Sequence, residues 1–364
     1  MNSKTSVNYS DLPVSQDKAE FSICIPVYNG MNSLPDTLRS IRNLDYPGYE
    51  IVVVDDASKD QTADMAEQAG ARVIRLSTNS GPATARNRAA QEASGEILLF
   101  TDSDVLIPKS ALAQIRQVLF QTGADAIQGT FSLVCPYSNY FSQYKNLYNR
   151  FVLNQLPDWI DTTFTSITAV KREAFLQCGG FDQNIKGASV EDRTLGRNLI
   201  DSGYKIYLDR SLEVIHNKYL SGWGFMKNQY KRSRDLIKLL LRNRLKKKQS
   251  TMESSVQNQD TSVQNQKQMR FGTNALSTML RIPLIYLILL LVVFALISPI
   301  LWGVVLLLGI IYLYLISAFE LYLLRIKGPG FALRGIPVNM LDAFISGLGI
   351  LAGIAEFKLL GKPY

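Results

Sequence analysis

The sequence predicts an α/β domain built around a largely parallel sheet, followed by apolar helices suited to a membrane. Apolar runs alternate with helical stretches from Phe21 to about residue 100, a pattern typical of βαβ units. The 38 residues between Arg281 and Glu320 carry no charge, which is more than one membrane span requires. At 364 residues, the chain is long enough for one large domain and an appendage.

Each strand of the predicted sheet is an apolar run closed by a turn or a polar segment. Right-handed crossovers place the ends of successive parallel strands at one edge of the sheet. Pro82 follows a Gly-Pro turn and suits the first turn of a helix. The predicted elements are a strand within Phe21–Gly30, a helix near 33–44, a strand within Glu50–Ser58, a strand over Ala71–Leu76, a helix from Pro82 and a strand from Glu96 to about Phe100.

Two carboxylates, Asp102 and Asp104, follow the wholly apolar strand that ends near Phe100. If this strand continued past Phe100, both side chains would face one side, where their charges would repel unless a cation lay between them. Mg²⁺ and Mn²⁺ are held in this way by one or two carboxylates together with substrate phosphates. The alternative is a solvated loop with a capping Asp.

A second strand also ends in acids, Asp55 and Asp56, and Arg86 lies early on the helix after the Gly-Pro turn. All of these residues should reach the same sheet edge. Such a crevice suits a nucleoside diphosphate, because a metal and an Arg can bind its phosphates while a carboxylate binds its base or ribose.

Several segments in this order resemble the family 2 glycosyltransferases, which are inverting enzymes with a GT-A fold. The resemblance covers about residues 20 to 230 and implies a Rossmann-like mixed sheet flanked by helices. The segments that carry the resemblance are Pro26–Gly30, Val53–Thr62, Gly81–Asn87, Gly95–Asp104, Lys171–Asp182 and Glu191–Leu195.

The resemblance implies a role for most of these polar residues and a nucleotide-sugar donor, most simply a UDP-sugar. Asp192 would be the catalytic base beside Glu191, although acids starting a helix also fit a capping role. Nucleotide contacts would come from Pro26, Tyr28, Asn29, Asp55, Asp56, Arg86 and Asp102; Mg²⁺ or Mn²⁺ would bind Asp104 with Asp102 and His216; and sugar or acceptor contacts would come from Gly180, Asp182, Gln229 and Arg232.

Two of these residues have a structural alternative. The Gly179–Gly180 pair also fits the end of a helix that begins near Arg172, and a lone histidine such as His216 is often structural. Gln229 and Arg232 match part of a motif of processive polysaccharide synthases, but Ser233 stands where those enzymes have Trp. Two other classes therefore stay open: a processive synthase and a non-catalytic membrane protein that binds a nucleotide sugar. No Gly-x-x-x-x-Gly-Lys loop is present.

The positive charge is concentrated between Lys227 and Lys248, where ten Lys or Arg face one acid, Asp235. This segment has a net charge of +9, compared with +8 for the whole chain. The interleaved Leu and Ile residues predict an amphipathic helix on an anionic membrane surface. A nucleic-acid site and a solvated charged helix are the alternatives, and the apolar segments that follow favour the membrane, with no nucleic-acid partner.

The predicted organisation is a flexible tail (1–20), a catalytic domain (21–226), the basic interfacial helix (227–248), a polar linker (249–270) and a membrane domain (271–364). Spans are expected near 282–298, 301–324 and, more weakly, 340–360, with a basic loop over 325–334. The positive-inside rule then places the catalytic domain in the cytoplasm, anchored to the plasma (inner) membrane beside a membrane lipid or lipid-linked acceptor. Three cysteines without metal spacing fit a reducing compartment.

Aromatic residues recur with helical spacing between Tyr137 and Phe151. They fit a core helix, an acceptor platform or a membrane-facing surface, and a core position is the default for such a stripe.

Overall fold

A computed structural model of the chain describes residues 19–185, 190–256 and 273–361. Within these residues the strands are β1 (Phe21–Val27), β2 (Tyr49–Asp55), β3 (Arg72–Arg75), β4 (Ile97–Phe100), β5 (Val105–Leu106), β6 (Ala126–Phe131), β7 (Trp159–Ile160), β8 (Thr168–Lys171) and β9 (Ile206–His216). The helices are α1 (Leu34–Arg42), α2 (Thr62–Gln68), α3 (Pro82–Glu92), α4 (Ala111–Thr122), α5 (Tyr140–Asn154), α6 (Arg172–Gln177), α7 (Glu191–Asp201), α8 (Gly222–Val256), α9 (Thr273–Ala295), α10 (Leu301–Lys327) and α11 (Pro329–Leu359).

The strands form one mixed sheet in the order β3-β2-β1-β4-β8-β6-β9-β5, with β7 paired to β9. The first four are parallel neighbours, and β8 then pairs antiparallel with both β4 and β6. The predicted mixed α/β architecture is confirmed. β4, which is wholly buried, and β1, which is buried except at Pro26, lie at its centre, and each fully buried aliphatic side chain there contributes about 1.5–3 kcal/mol.

The strand after which Asp102 and Asp104 lie is shorter than the alternation argument requires. β4 ends at Phe100, and the backbone N–H of Val105 donates to the carbonyl of Asp102 at 3.3 Å. The two acids therefore lie in a turn, and the expectation that one strand face carries both is wrong. In this turn, the side chains of the two acids have different partners: Asp102 bonds Arg86, whereas Asp104 lies beside His216 and Lys218.

Helix α7 lies close to the irregular segment around Thr162, and Gly196 allows this close approach. A Cβ at Gly196 would lie 2.5 Å from the Cα of Thr162. The neighbouring Thr163 hydroxyl donates to the carbonyl of Asp192 at 2.6 Å. This close approach fixes the position of the first turn of α7.

The C-terminal helices differ from the expected spans in their bounds. α10 and α11 are long and apolar enough to cross a membrane, whereas α9 has a shorter apolar stretch, Met279–Ala295. The expected basic loop over 325–334 is wrong, because α11 already begins at Pro329 and includes Arg334.

Helix α8 is also longer than expected and has a protein partner. Residues 249–256, expected as linker, are helical because no Gly or Pro interrupts them. Residues 257–272, and residues 1–18 of the predicted tail, lie outside the described residues. α8 packs along α11, where Gly349 lets the two helices approach and Lys238 bonds Glu356 at 2.9 Å.

The aromatic stripe of α5 forms a core between the two halves of the chain. Tyr144 and Phe151 contact Phe319 of α10, with ring centroids 5.4 and 5.1 Å apart. Leu323 and Ala332 complete this cluster. Of the three roles left open for the stripe, the core position is the one observed, and it docks the sheet domain directly on the apolar helices.

Substituting Gly196 by Ala should destabilise the chain, because the new methyl group would overlap the backbone of Thr162. Overpacking of this kind costs about 1–3 kcal/mol. Thermal unfolding of the detergent-solubilised chain measures the effect. Gly330→Ala is the matched control, since nothing lies within 4 Å of its added Cβ; equal unfolding midpoints for the two variants would contradict the prediction.

Candidate active site

The loops after β1 and β2 are held in unusual backbone conformations. Asn29 and Ala57 are the non-glycine residues with positive φ in the described part of the chain, at 52° and 62°. Each such residue costs about 1–3 kcal/mol, and such strain clusters at functional sites. The loops clamp each other: Asn29 N–H donates to Ser58 Oγ, and Lys59 N–H donates to Asn29 Oδ1, both at 2.8 Å.

Asp55 and Asp56 are both buried but have different environments. Both oxygens of Asp56 accept backbone N–H bonds, from Ser80 at 2.7 Å and Gly81 at 2.8 Å. Asp55 Oδ2 accepts from Ser58 N–H at 3.2 Å, whereas its buried Oδ1 has no partner among the described residues. Asp56 thus fixes the turn before α3, whereas a contact between Asp55 and a nucleotide stays a prediction.

The other residues expected at the nucleotide lie beside these loops. Pro26 is in β1, paired with Val54 of β2. Tyr28 follows the strand and is 45% exposed, so its ring is open to a planar ligand. Their contacts with a nucleotide stay predictions.

Arg86 joins two acids that were predicted to have separate roles. Its guanidinium bonds Asp102 Oδ1 at 2.7 Å and Glu191 Oε1 at 3.0 Å, and the residue is 3% exposed. Asp102 Oδ2 also accepts from Ser166 Oγ at 3.1 Å. Arg86 was expected to bind phosphate; the structure instead places it among carboxylates that it positions, and its contact with phosphate stays a prediction.

Asp104 faces the end of β9. Its carboxylate lies 3.4 Å from His216 Nε2 and 3.1 Å from Lys218 Nζ. Burial raises the pKa of Asp104, but its interactions with His216 and Lys218 outweigh this effect and hold the pKa well below its usual range. His216 was separated from Asp104 by more than a hundred residues in the sequence, and the β5–β9 pairing brings them together.

Two buried atoms at this point fit a divalent cation. Asp104 Oδ1 and His216 Nε2 have no hydrogen-bond partner among the described residues, and they lie at a separation that two ligands of one ion can take. A carboxylate oxygen with an imidazole nitrogen suits Mn²⁺, and Mg²⁺ accepts few protein ligands beside phosphates and water. Within the described residues, no group of three or more His, Cys, Asp or Glu is placed to bind a metal. A diphosphate would therefore have to complete the coordination.

Asp192 lies in the first turn of α7, beside Glu191. Burial, followed by the negative charge of Glu191, raises the pKa of Asp192 to about 6, against the lowering effects of Arg232 and Arg193. Its Oδ1 accepts from the N–H of Arg193 at 2.8 Å. A carboxylate with such a pKa is ionised at neutral pH and is a stronger base than an ordinary Asp.

Gly180 and Asp182, expected at the sugar, have structural partners. The Gly180 N–H bonds the carbonyl of Phe175, which confirms that the glycines end α6. Both carboxylate oxygens of Asp182 are bonded, one to the turn at Asn184 and one to Arg242 of α8 at 2.6 Å. These bonds disfavour a direct contact between Asp182 and the sugar, which stays a prediction.

Gln229 and Arg232 face the same region from α8. Gln229 accepts from Lys145 Nζ at 2.9 Å and donates to Asp342 of α11. Arg232 is close enough to Asp192 and Lys218 for its charge to influence the pKa of both groups. The two residues thus lie on the side of Asp192 that adjoins the C-terminal helices.

Four polar residues of the cleft were missed by sequence reasoning. Lys218 could have been found from its spacing of two residues after His216 at the end of β9. Arg193 directly follows Asp192. Ser166 and Lys145 had no local signal, since both lie in the poorly patterned stretch between residues 130 and 170.

Comparison with known proteins agrees with this architecture. Residues 22–179 match the model of glycosyl transferase family 2. The chain is 36% identical over 115 residues to poly(ribitol-phosphate) beta-N-acetylglucosaminyltransferase TarS of Staphylococcus aureus, covering 30% of this chain and 20% of TarS. It is 24% identical over 235 residues to glycosyltransferase AglE of Haloferax volcanii, covering 62% of this chain and 75% of AglE.

A solved structure shares the fold over nearly the whole chain. The mannosyltransferase PcManGT from Pyrobaculum calidifontis, in complex with GDP-Man and Mn²⁺, superposes with a TM-score of 0.53 at 16% identity, covering 96% of this chain and 91% of that one. The chain spans only about a fifth of TarS. Residues 22–179 thus match glycosyl transferase family 2, and the chain carries a GT-A-like fold.

Proposed function

We propose that the chain is an inverting glycosyltransferase that moves a sugar from a nucleotide-sugar donor to an acceptor hydroxyl, with Asp192 as the base. The observation that carries this proposal is the carboxylate of Asp192, with its raised pKa, in the same cleft as the Asp104–His216 pair. TarS and AglE, to which parts of the chain are similar, are named glycosyltransferases.

The donor half of the cleft suits a nucleoside diphosphate. The free Oδ1 of Asp55 can accept the N–H of a uracil, which supports a UDP-sugar. Asp104 and His216 would hold Mg²⁺ or Mn²⁺, with Asp102 alongside. When bound, this cation would neutralise charge that develops on the leaving diphosphate. PcManGT was solved with Mn²⁺, which supports the same cofactor here.

The acceptor half supplies the proton transfer. A hydroxyl is a poor nucleophile until a positioned carboxylate takes its proton. Asp192 would accept that proton as the hydroxyl oxygen forms a bond to the anomeric carbon. The bond from that carbon to the diphosphate oxygen breaks in the same step, and the nucleoside diphosphate leaves.

The two rival functions have less support. A processive polysaccharide synthase would be expected to carry Trp in place of Ser233 after Gln229 and Arg232. A non-catalytic nucleotide-sugar-binding protein would have no chemical need for a buried, destabilised carboxylate such as that of Asp192.

The C-terminal helices support a membrane-bound enzyme with a cytoplasmic catalytic domain and a lipid or lipid-linked acceptor. Apolar side chains at the turn between α9 and α10 are highly exposed: Ile297 is 81% and Ile300 is 83% exposed. α10, which is long and apolar enough to cross, suits insertion into the plasma (inner) membrane together with the shorter apolar stretch Met279–Ala295 of α9. α11 suits the interface better, because its Glu356 pairs with Lys238 and Arg234 of the basic helix α8.

A donor panel tests the proposed activity. The solubilised full chain with Mn²⁺ should release a nucleoside diphosphate from at least one nucleotide sugar, and chelation of the metal should stop the release. Failure to release a nucleoside diphosphate from any donor, in the presence of membrane lipids, would contradict glycosyl transfer.

Asp192→Asn should lower turnover by about 10²–10⁴-fold, because general base catalysis contributes this much. Donor affinity should change little, since Asp192 acts on the acceptor. Turnover and nucleotide binding are measured in parallel. Asp201→Asn, at the exposed end of the same helix, is the matched control and should keep full activity; equal activity of both variants would contradict the assignment.

The acid limb of the pH profile should report Asp192. Because its pKa is raised to about 6, kcat/KM should be constant above about pH 7 and fall roughly tenfold per pH unit below pH 6, as the base becomes protonated. An acid limb near pH 4, the range of an ordinary Asp, would show that another group is the base.

His216→Ala should weaken Mn²⁺ binding by at least about tenfold, because it removes one of two protein ligands. Free Mn²⁺ is measured by electron paramagnetic resonance in the presence of UDP. Asp64→Asn, an exposed acid paired with Arg75, is the control and should bind Mn²⁺ normally. A larger loss in Asp102→Asn than in His216→Ala would contradict Asp104 and His216 as the main ligands.

A further inference from the structure

The segment that leads into the proposed base packs against α8, the basic helix that follows the sheet domain. This segment begins at Asp182 and reaches the first turn of α7, and its residues 182–185 and 190 onward are described. Ile185 and Val190 are 1% and 2% exposed, and they form a small apolar cluster with Leu239 of α8. This cluster is separate from the main core of the sheet domain. α8 therefore contacts the chain directly before the turn that carries Asp192.

An ion pair joins the same segment to α8, three residues after Leu239. Arg242 Nη2 bonds Asp182 Oδ2 at 2.6 Å, and the two side chains are 16% and 19% exposed. The other oxygen of Asp182 accepts from Asn184 N–H at 3.0 Å and from its Nδ2 at 2.9 Å. Burial raises the pKa of Asp182, but the bonds from Asn184 and Arg242 outweigh this effect and lower the pKa. Asp182 thus acts as an anchor between the segment and α8.

Helix α8 is fixed in turn by the apolar helix α11. A Cβ at Gly353 would lie 2.5 Å from the carbonyl oxygen of Arg234, so the two backbones approach directly at this point. Lys238, one residue before Leu239, bonds Glu356 of α11 at 2.9 Å. The part of α8 that contacts the segment therefore takes its position from α11 as well as from the sheet domain.

The sheet domain holds the chain on either side of this segment. Asn87 bonds both backbone groups of Phe181, at 2.8 and 2.9 Å, and Arg86 bonds Glu191 at 3.0 Å. Between these two anchors, the apolar cluster and the ion pair connect the segment to α8. α8 is thus a further support of the turn that carries Asp192, and a shift of α8 would be transmitted to this turn.

We propose that α8 positions Asp192 for proton transfer, with Leu239 and Arg242 as positioning residues that hold the segment before α7. This inference rests on the proposed glycosyl transfer. Both residues act through the turn that carries the base and not on the substrate. A general base must lie within hydrogen-bond reach of the hydroxyl that it deprotonates, and a misplacement of about 1 Å can cost about a hundredfold in rate. The C-terminal helices therefore contribute to the rate as well as to membrane attachment.

Arg242→Gln and Leu239→Ala test the proposal in the solubilised full chain. Each should lower kcat by about tenfold or more, because the base is displaced from the acceptor hydroxyl. Each should leave UDP affinity within about twofold, because Asp192 acts on the acceptor, and unchanged UDP binding verifies folding. Arg242→Lys should keep most of the turnover. Two matched controls should keep full activity: Arg197→Gln, which removes an exposed ion pair on α7, and Leu176→Ala, an exposed leucine of α6.

Asp182→Asn distinguishes an anchor from a residue that contacts the sugar. This variant keeps an oxygen for Asn184 and loses the charge that Arg242 binds. If Asp182 acts through Arg242, the double variant Asp182→Asn with Arg242→Gln should lower kcat no further than either single change, because both remove the same ion pair. Losses that multiply in the double variant would assign Asp182 to the substrate and overturn its positioning role.

Hydrogen exchange gives a readout that needs no turnover. The Thr194 N–H donates to the carbonyl of Val190 at 3.4 Å. Its exchange should be about tenfold faster in Arg242→Gln than in Arg197→Gln, the usual effect of losing a hydrogen bond to a charged group. Faster exchange in a chain that turns over no nucleotide sugar would refute glycosyl transfer alone. Equal exchange and equal kcat in the two variants, or a parallel loss of UDP affinity in Arg242→Gln, would overturn the inference.

Discussion

The buried guanidinium of Arg86 links the two halves of the cleft. It bonds Asp102 after β4 and Glu191 at the start of α7, so the donor turn and the helix that carries Asp192 share one anchor. Removing one partner of a buried ion pair typically costs about 3–5 kcal/mol, because the other charge is left uncompensated. The spacing between the Asp104–His216 pair and Asp192 therefore depends on this buried ion-pair network. Asn87, one residue later on α3, extends the same anchor by bonding both backbone groups of Phe181.

Acids occur in three pairs around the cleft, and in each pair the two carboxylates differ in their contacts with the protein. Asp56, Asp102 and Glu191 are bound to backbone N–H groups or to Arg86. Their partners Asp55 and Asp104 each keep a buried oxygen without a protein partner in the described residues, and the carboxylate of Asp192 is the one with the raised pKa. In each pair, the acid held by these contacts thus sets the position of its neighbour.

The fold and the approximate position of the site could be predicted from the sequence, because strand ends are marked by local patterns. The different environments of the two acids within each pair could not be predicted in this way. Asp55 and Asp56 look equivalent in the sequence, and only the turn at Ser80 and Gly81 distinguishes them. Asp104 and His216 are joined by the β5–β9 pairing, which has no local signal, and Lys145 is placed by tertiary packing alone. The continuation of α8 past residue 248 was missed because polar composition suggested a linker, whereas helix propensity depends on the absence of Gly and Pro.

A chain of polar contacts runs from the C-terminal helices into the cleft. Arg281 of α9 bonds Asp342 of α11, Asp342 accepts from Gln229 of α8, and Gln229 accepts from Lys145 of α5. Charges within apolar helices are costly unless paired, and this contact pairs Arg281 of α9 with Asp342 of α11. The same contact holds Gln229, whose side-chain oxygen accepts the bond from Lys145. Helix α5, which carries Lys145, also packs its aromatic face against Phe319 of α10, so polar and apolar contacts together join the sheet domain to the apolar helices.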